Sequence, residues 1–223
     1  MKKNLIISLL LCLPLMLMAG KKKDDSKYLV GAVPEQNGIV TFQKSFSVTD
    51  KNTQQIYDIL LGHLKGPVME NALQNQNPPY TRILANEYNG QEGTIVARIE
   101  EYMIFQKAFL SLDRARFRYL LSAEVKGQKV LLTLTQVSYY YNEDMDGNNG
   151  VTYKAEEWIT DKEALSKDGK KLYPRSGKFR RKTVDRVQEL FEGFMDAIAI
   201  YAEKTEKVET AAPAKVRKGI VED

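Results

Sequence analysis

Few residues in this chain are equipped for chemistry. It holds one His and one Cys among 223 residues. With His63 the only imidazole, any Ser-His-Asp or Cys-His centre would have to be built on it, and no G-x-S-x-G turn presents a nucleophile. A single Cys excludes a disulfide framework and any multi-cysteine zinc site. Glu100-Glu101 and Glu156-Glu157 are adjacent carboxylates. Neighbours on a strand point to opposite faces, and residues i and i+1 on a helix do not face each other. Neither pair is therefore an acid/base couple by itself, and a carboxylate hydrolase would need a second acid from another element. Neither a G-x-x-x-x-G-K-[ST] phosphate loop nor a G-x-G-x-x-G dinucleotide turn is present.

Asn142-Glu143-Asp144-Met145-Asp146-Gly147 has the opening pattern of a calcium loop. Position 12 of that loop would be Tyr153, where a bidentate Glu has to close the site. The expected structure is a solvated turn. No metal and no cofactor is expected, and the chain reads as a non-enzyme.

Recognition is the remaining chemistry. Arg175, Lys178, Arg180, Arg181 and Lys182 cluster at the start of a long helix, where the helix dipole is already positive. Something must offset them. Internal acids such as Glu156, Glu157, Asp161 or Asp185 are one answer, and an anionic partner held by Arg forks is the other. Tyr139-Tyr140-Tyr141 and Trp158 flank the acidic loop, and aromatics of this kind serve either cores or binding surfaces. The candidate partner-binding set is Arg180, Arg181, Lys178, Trp158 and Tyr141.

These residues need elements to hold them. Residues 38–48 alternate, with Val40, Phe42, Phe46 and Val48 on one face, which predicts a strand. Asp50 and Thr53 offer N-caps to a helix near residues 53–64 striped by Ile56, Leu60 and Leu64. Tyr80 to Tyr88 and Gly93 to Phe105 read as a hairpin joined at Asn89-Gly90, both turn residues at positive φ, with a bulge after Glu100-Glu101. Residues 116–126 and 130–141 form a second strand pair around Gly127-Gln128. Residues 142–152 read as loop and 155–165 as a short helical segment. Val184, Val187, Phe191, Phe194, Ile198 and Tyr201 mark one amphipathic helix from about residue 179 to 204. The fold class is α+β, a curved antiparallel sheet of about five strands with helices on one face.

At the start, Lys2-Lys3, the apolar run from Leu5 to Met18 and Ala19-Gly20 have the layout of a secretory signal peptide. The run is shorter than the roughly 20 residues a spanning helix needs. Cys12, preceded by Leu11, reads as apolar filler and not as a lipidation site. Without residues 1–20 the basic count is 31 against 29 acids, a net charge of +2. Such a balance gives no pull toward nucleic acid. The expected plan is a signal peptide at 1–20, a lead-in at 21–37, one domain at 38–204 and a disordered tail at 205–223. The expected location is the periplasm or envelope of a Gram-negative bacterium, with membrane contact only through the signal peptide.

Four separated segments give the chain a family likeness: Tyr28-Leu29-Val30-Gly31-Ala32-Val33-Pro34, Gly93-Thr94-Ile95-Val96-Ala97-Arg98, Glu156-Glu157-Trp158-Ile159-Thr160-Asp161-Lys162 and Ser176-Gly177-Lys178-Phe179-Arg180-Arg181-Lys182-Thr183. In these it resembles an exported domain-of-unknown-function family of the Bacteroides group with a TATA-box-binding-protein-like (TBP-like) fold. The resemblance implies a curved antiparallel sheet with helices on one side. It assigns no catalytic or binding residue, and the fold name does not imply DNA binding. The functional expectation is an exported domain that binds or scaffolds an envelope protein or an anionic envelope component. The alternative is a helix-grip-like pocket for a small apolar ligand under the long helix.

Overall fold

Side chains that alternate in and out along three long strands build this protein around one sheet. The computed structural model describes residues 24–70, 81–108, 111–142 and 150–211. A short ribbon, β1 (Glu35–Gln36) and β2 (Ile39–Val40), precedes β3 (Phe42–Ser47) and the helix α1 (Thr53–His63). The strands β4 (Arg82–Tyr88), β5 (Glu92–Ala108), β6 (Ser111–Lys126), β7 (Lys129–Tyr141) and β8 (Val151–Lys154) follow. The helices α2 (Asp161–Ala164) and α3 (Pro174–Ala211) close the described chain. The main sheet is antiparallel in the order β3-β7-β6-β5-β4, with β8 also pairing β7.

One sheet face is dry. Ile95, Ala97 and Ile99 of β5, Phe117, Tyr119 and Leu121 of β6, and Leu132 and Leu134 of β7 are buried against Ile56 and Leu60 of α1 and Phe191, Phe194 and Ile198 of α3. Each of the large aliphatic and phenylalanine side chains contributes about 1.5–3 kcal/mol by leaving water. Gln136 takes a positive φ of 53° where the β6–β7 register shifts. The extra residue resets the alternation, so Leu134 and Val137 are both buried and Tyr139 also reaches the core.

The α+β fold is as the sequence predicts, and several local expectations are corrected. The cap of α1 is Asn52, not Asp50 or Thr53: its Oδ1 accepts from the Gln55 N–H at 2.9 Å, and the Gln55 Oε1 accepts from the Asn52 N–H at 2.9 Å. At the first hairpin only Gly90 has positive φ, 94°, while the Asn89 side chain accepts from the N–H groups of Gln91 and Glu92. The β5–β6 register runs unbroken through Glu100-Glu101, and shifts only between Ile104 and Gln106. Glu101 keeps its core-side place by pairing with Arg186, so the alternation never changes phase there. Val151 and Thr152, expected as the end of a loop, open the strand β8. The long helix starts at Pro174, a favoured first helical position, and runs to Ala211. It therefore contains the basic cluster and passes the expected boundary at 204. The lead-in is also structured, for Tyr28 and Val33 are buried. The calcium-like residues 143–147 lie outside the described residues.

Candidate functional site

Tyr141 ends β7, Tyr153 lies on β8, Trp158 caps the turn Ala155–Glu157, and Arg175, Lys178 and Phe179 occupy the first turns of α3. These six residues and Asn142 enclose a cavity of about 420 Å³. Its walls are locked aromatics. Trp158 stacks on Tyr153 with ring centres 4.3 Å apart and meets Phe179 edge-on at 5.9 Å. Phe179 is held in turn by Phe105 at 4.4 Å, Tyr139 at 5.0 Å and Tyr141 at 5.3 Å.

The cavity is rich in donors. Lys178 Nζ donates to Asp113 Oδ2 at 2.6 Å and to Tyr141 Oη at 2.8 Å, and it sits 4.5 Å from the centre of the Phe105 ring. Tyr141 Oη donates onward to Asp113 Oδ1 at 2.8 Å. Burial works against the ammonium charge, but the bonds to Asp113 and Tyr141 outweigh it and hold the Lys178 pKa above 10.5. Trp158 Nε1 is buried and has no hydrogen-bond partner among the described residues. Leaving such a donor unmatched costs about 1–3 kcal/mol. Arg175 is exposed and forms no ion pair among the described residues. The arrangement suits an oxygen-rich anionic group lying against aromatic faces.

Residues 42–140 match the domain-of-unknown-function family DUF4468, with TBP-like fold. A solved DUF4468 family protein from Bacteroides ovatus is 37% identical, with a TM-score of 0.69 over 79% of this chain and 96% of that one. The chain belongs to the DUF4468 family. A TBP-like protein from Parabacteroides distasonis shares the fold at 16% identity, with a TM-score of 0.57 over 75% of this chain and 97% of that one. No curated protein matches the chain.

Within this DUF4468 domain the five sequence-predicted residues separate. Tyr141, Trp158 and Lys178 converge on the cavity. Arg180 does not: its side chain is fully buried. Its Nε donates to the Tyr28 carbonyl at 2.5 Å, Nη1 to the Ile159 carbonyl at 2.7 Å, and Nη2 to the Leu29 carbonyl at 2.6 Å and to Asp161 Oδ1 at 2.5 Å. Three of the four family-like segments meet at this one guanidinium. Arg181 forks onto both oxygens of Asp25, at 2.7 and 2.5 Å. Both arginines are thus internal ties and neither faces the cavity. Asp185, expected opposite the cluster, instead binds Lys27 and the Tyr28 hydroxyl.

The adjacent glutamates point apart, as strand geometry requires. Glu100 is buried beneath Arg116 and Arg118 on one face. Glu101 is bound by Arg186 and by the Tyr119 hydroxyl on the other. Glu156 accepts from the Val40 N–H. His63 ends α1 half-buried, its ring edge-on to Phe194 at 4.7 Å. Among the described residues no cluster of three His, Cys, Asp or Glu could hold a metal ion. Sequence reasoning missed Tyr153 and Phe179 as cavity walls. Phe179 opens the helix stripe, and Tyr153 lies on a four-residue strand whose alternation is too short to read.

A second space of about 640 Å³ lies between α1 and α3, lined by Ile59, Pro67, Ala197, Ile200 and Tyr201 among others. It is not the pocket expected between helix and sheet, since Phe191, Phe194 and Ile198 fill that space.

Proposed function

We propose that this DUF4468 domain is a non-enzymatic exported binding module that grips a carboxylate- or phosphate-bearing partner in the Tyr141–Trp158–Lys178 cavity. The observation that carries the reading is that Trp158, whose buried Nε1 has no acceptor among the described residues, lines a cavity together with Arg175, which has no ion pair among them. A ligand oxygen completes the indole, and Arg175 supplies charge and a planar fork. The stacked Tyr153 and Trp158 rings give the ligand's carbon frame a flat apolar wall. The locked walls make the site pre-formed, as small-ligand sites usually are.

Isothermal titration with citrate, inorganic phosphate and a glutamate-rich peptide tests this. At least one is expected to bind saturably, with the affinity reduced by Trp158→Phe, which keeps an aromatic face and removes the N–H. Loss of one hydrogen bond to a charged group corresponds to about 1.5–3 kcal/mol, or roughly 10- to 150-fold. Equal binding by the parent chain and Trp158→Phe contradicts the reading.

The open space between α1 and α3 supports a second reading, a site for a small apolar ligand, because Ile200 and Tyr201 stay exposed beside it. An apolar fluorescent probe displaced by Ala197→Trp would favour it over the first.

A further inference from the structure

The sheet face turned away from the helices carries a second pattern, independent of the cavity. Among the described residues no helix packs on it. β4 pairs β5 only as far as Arg82↔Arg98, and β7 pairs β6 only as far as Ala115↔Tyr141. Beyond those points β5 and β6 continue together to Ala108↔Ser111 as a two-stranded arm. Ile104 and Leu112 stand on this arm 44% and 48% exposed. Arg114, opposite Ile104, lies 4.2 Å over the Tyr102 ring.

Behind the arm the same face is basic. Arg116 and Arg118 follow Arg114 along β6 at strand spacing, and Lys154 sits opposite Ser138 one strand farther on. Arg82 and Arg98 are direct cross-strand partners, both exposed, and neither has an ion pair or hydrogen bond among the described residues. Like charges placed opposite each other are destabilising. Next to these six cations the face holds Glu100, buried under Arg116 and Arg118, while its other carboxylates on β4, β5 and β6, Glu87, Glu92 and Glu124, stand toward the end of the strands opposite the arm.

We infer that this face and its arm form a docking surface for an anionic lipid bilayer. A soluble polyanion would engage the arginines but leaves Ile104 and Leu112 in water. A bilayer surface serves both, taking aliphatic side chains at the headgroup boundary while anionic headgroups meet the cations. The inference does not depend on the cavity reading.

The test is vesicle flotation with the chain from Lys21, which keeps every described residue. Equimolar phosphatidylglycerol and phosphatidylcholine vesicles are compared with phosphatidylcholine alone. The protein is expected on the anionic vesicles only, and less so as salt rises. Arg82→Gln with Arg98→Gln should lower partitioning about 25-fold, at about fivefold per charge. Arg98→Gln with Lys154→Gln should do the same from different positions. Ile104→Ser with Leu112→Ser should weaken vesicle binding and leave binding to dextran sulfate unchanged. All these substitutions are at exposed positions, so melting midpoints should not move. Equal binding to both vesicle types overturns the inference. So does full vesicle binding by the Ile104→Ser, Leu112→Ser variant, which would mark the face as a site for soluble polyanions.

Discussion

Arg180 donates from Nε to the carbonyl oxygen of Tyr28, 2.5 Å away and 152 residues distant in the chain. The bond fastens the lead-in to the long helix, and the same guanidinium holds Ile159 and Asp161. A buried arginine is tolerated only when its donors are matched, and here Nε, Nη1 and Nη2 all donate.

Removing that side chain should loosen three segments at once. Arg180→Met leaves three carbonyls and a carboxylate facing an apolar stem. The expected loss is about 3–5 kcal/mol, a fall in melting midpoint of roughly 10 °C. Arg180→Lys should not restore it, because one ammonium cannot span this fork. A thermal melt within a degree or two of the parent (roughly 1 kcal/mol or less) would contradict the role.

Gly93 lies where the Tyr57 ring crosses β5. A Cβ there would collide with Tyr57 Cδ2, and Tyr57 is itself packed on Tyr88 with ring centres 5.2 Å apart. Gly93→Ala should destabilise by about 1–3 kcal/mol through overpacking. Tyr57→Leu in the same chain should recover part of the loss. Denaturant midpoints of the two variants measure both effects.

His63 gives a pH signature that one substitution isolates. Burial lowers its pKa from 6.5, and the nearby Asp196 carboxylate only partly opposes the shift. The folded state therefore binds this proton less readily than the unfolded chain. The contribution is fully present above pH 6.5 and is lost as the pH falls below 6.5 through the folded value. As the chain has one His, the stability difference between the parent and His63→Leu should change between pH 7 and pH 5 in the direction of a weaker parent at low pH. A difference that stays constant over that range contradicts the assignment.

The strands were legible where alternation was long. Phe117 to Val125 and Val130 to Leu134 announce their faces by residue type alone, and Val187 to Ile198 announce a helix stripe. Glu101 misleads because a charged residue at a core-side position is masked by a partner, Arg186, 85 residues away. Long-range pairing of that kind has no local signal. The candidate site was half legible for the same reason. Tyr141, Trp158 and Lys178 stand out by type, and the structure brings them together. Arg180 and Arg181 have the same residue type as a surface cluster, but helical geometry turns Arg180 inward beneath the lead-in. No spacing rule separates an arginine that binds a partner from one that ties the chain to itself. The helix start at Pro174 shows why: it places the cluster within the first turns of α3, where successive cations point in different directions.

The most direct measurement of the binding claim reads the unmatched donor itself. Trp158 is the only tryptophan in the chain, so a proton–nitrogen correlation spectrum contains one indole N–H peak. On titration with citrate, inorganic phosphate or a glutamate-rich peptide, that peak is expected to move downfield saturably for at least one of them, as the indole N–H gains an acceptor. The movement should be lost in Arg175→Ala and kept in the Arg82→Gln, Arg98→Gln variant, whose changes lie on the other side of the sheet. An indole peak that stays fixed with all three anions, or that moves equally in Arg175→Ala, would contradict an anion site in this cavity.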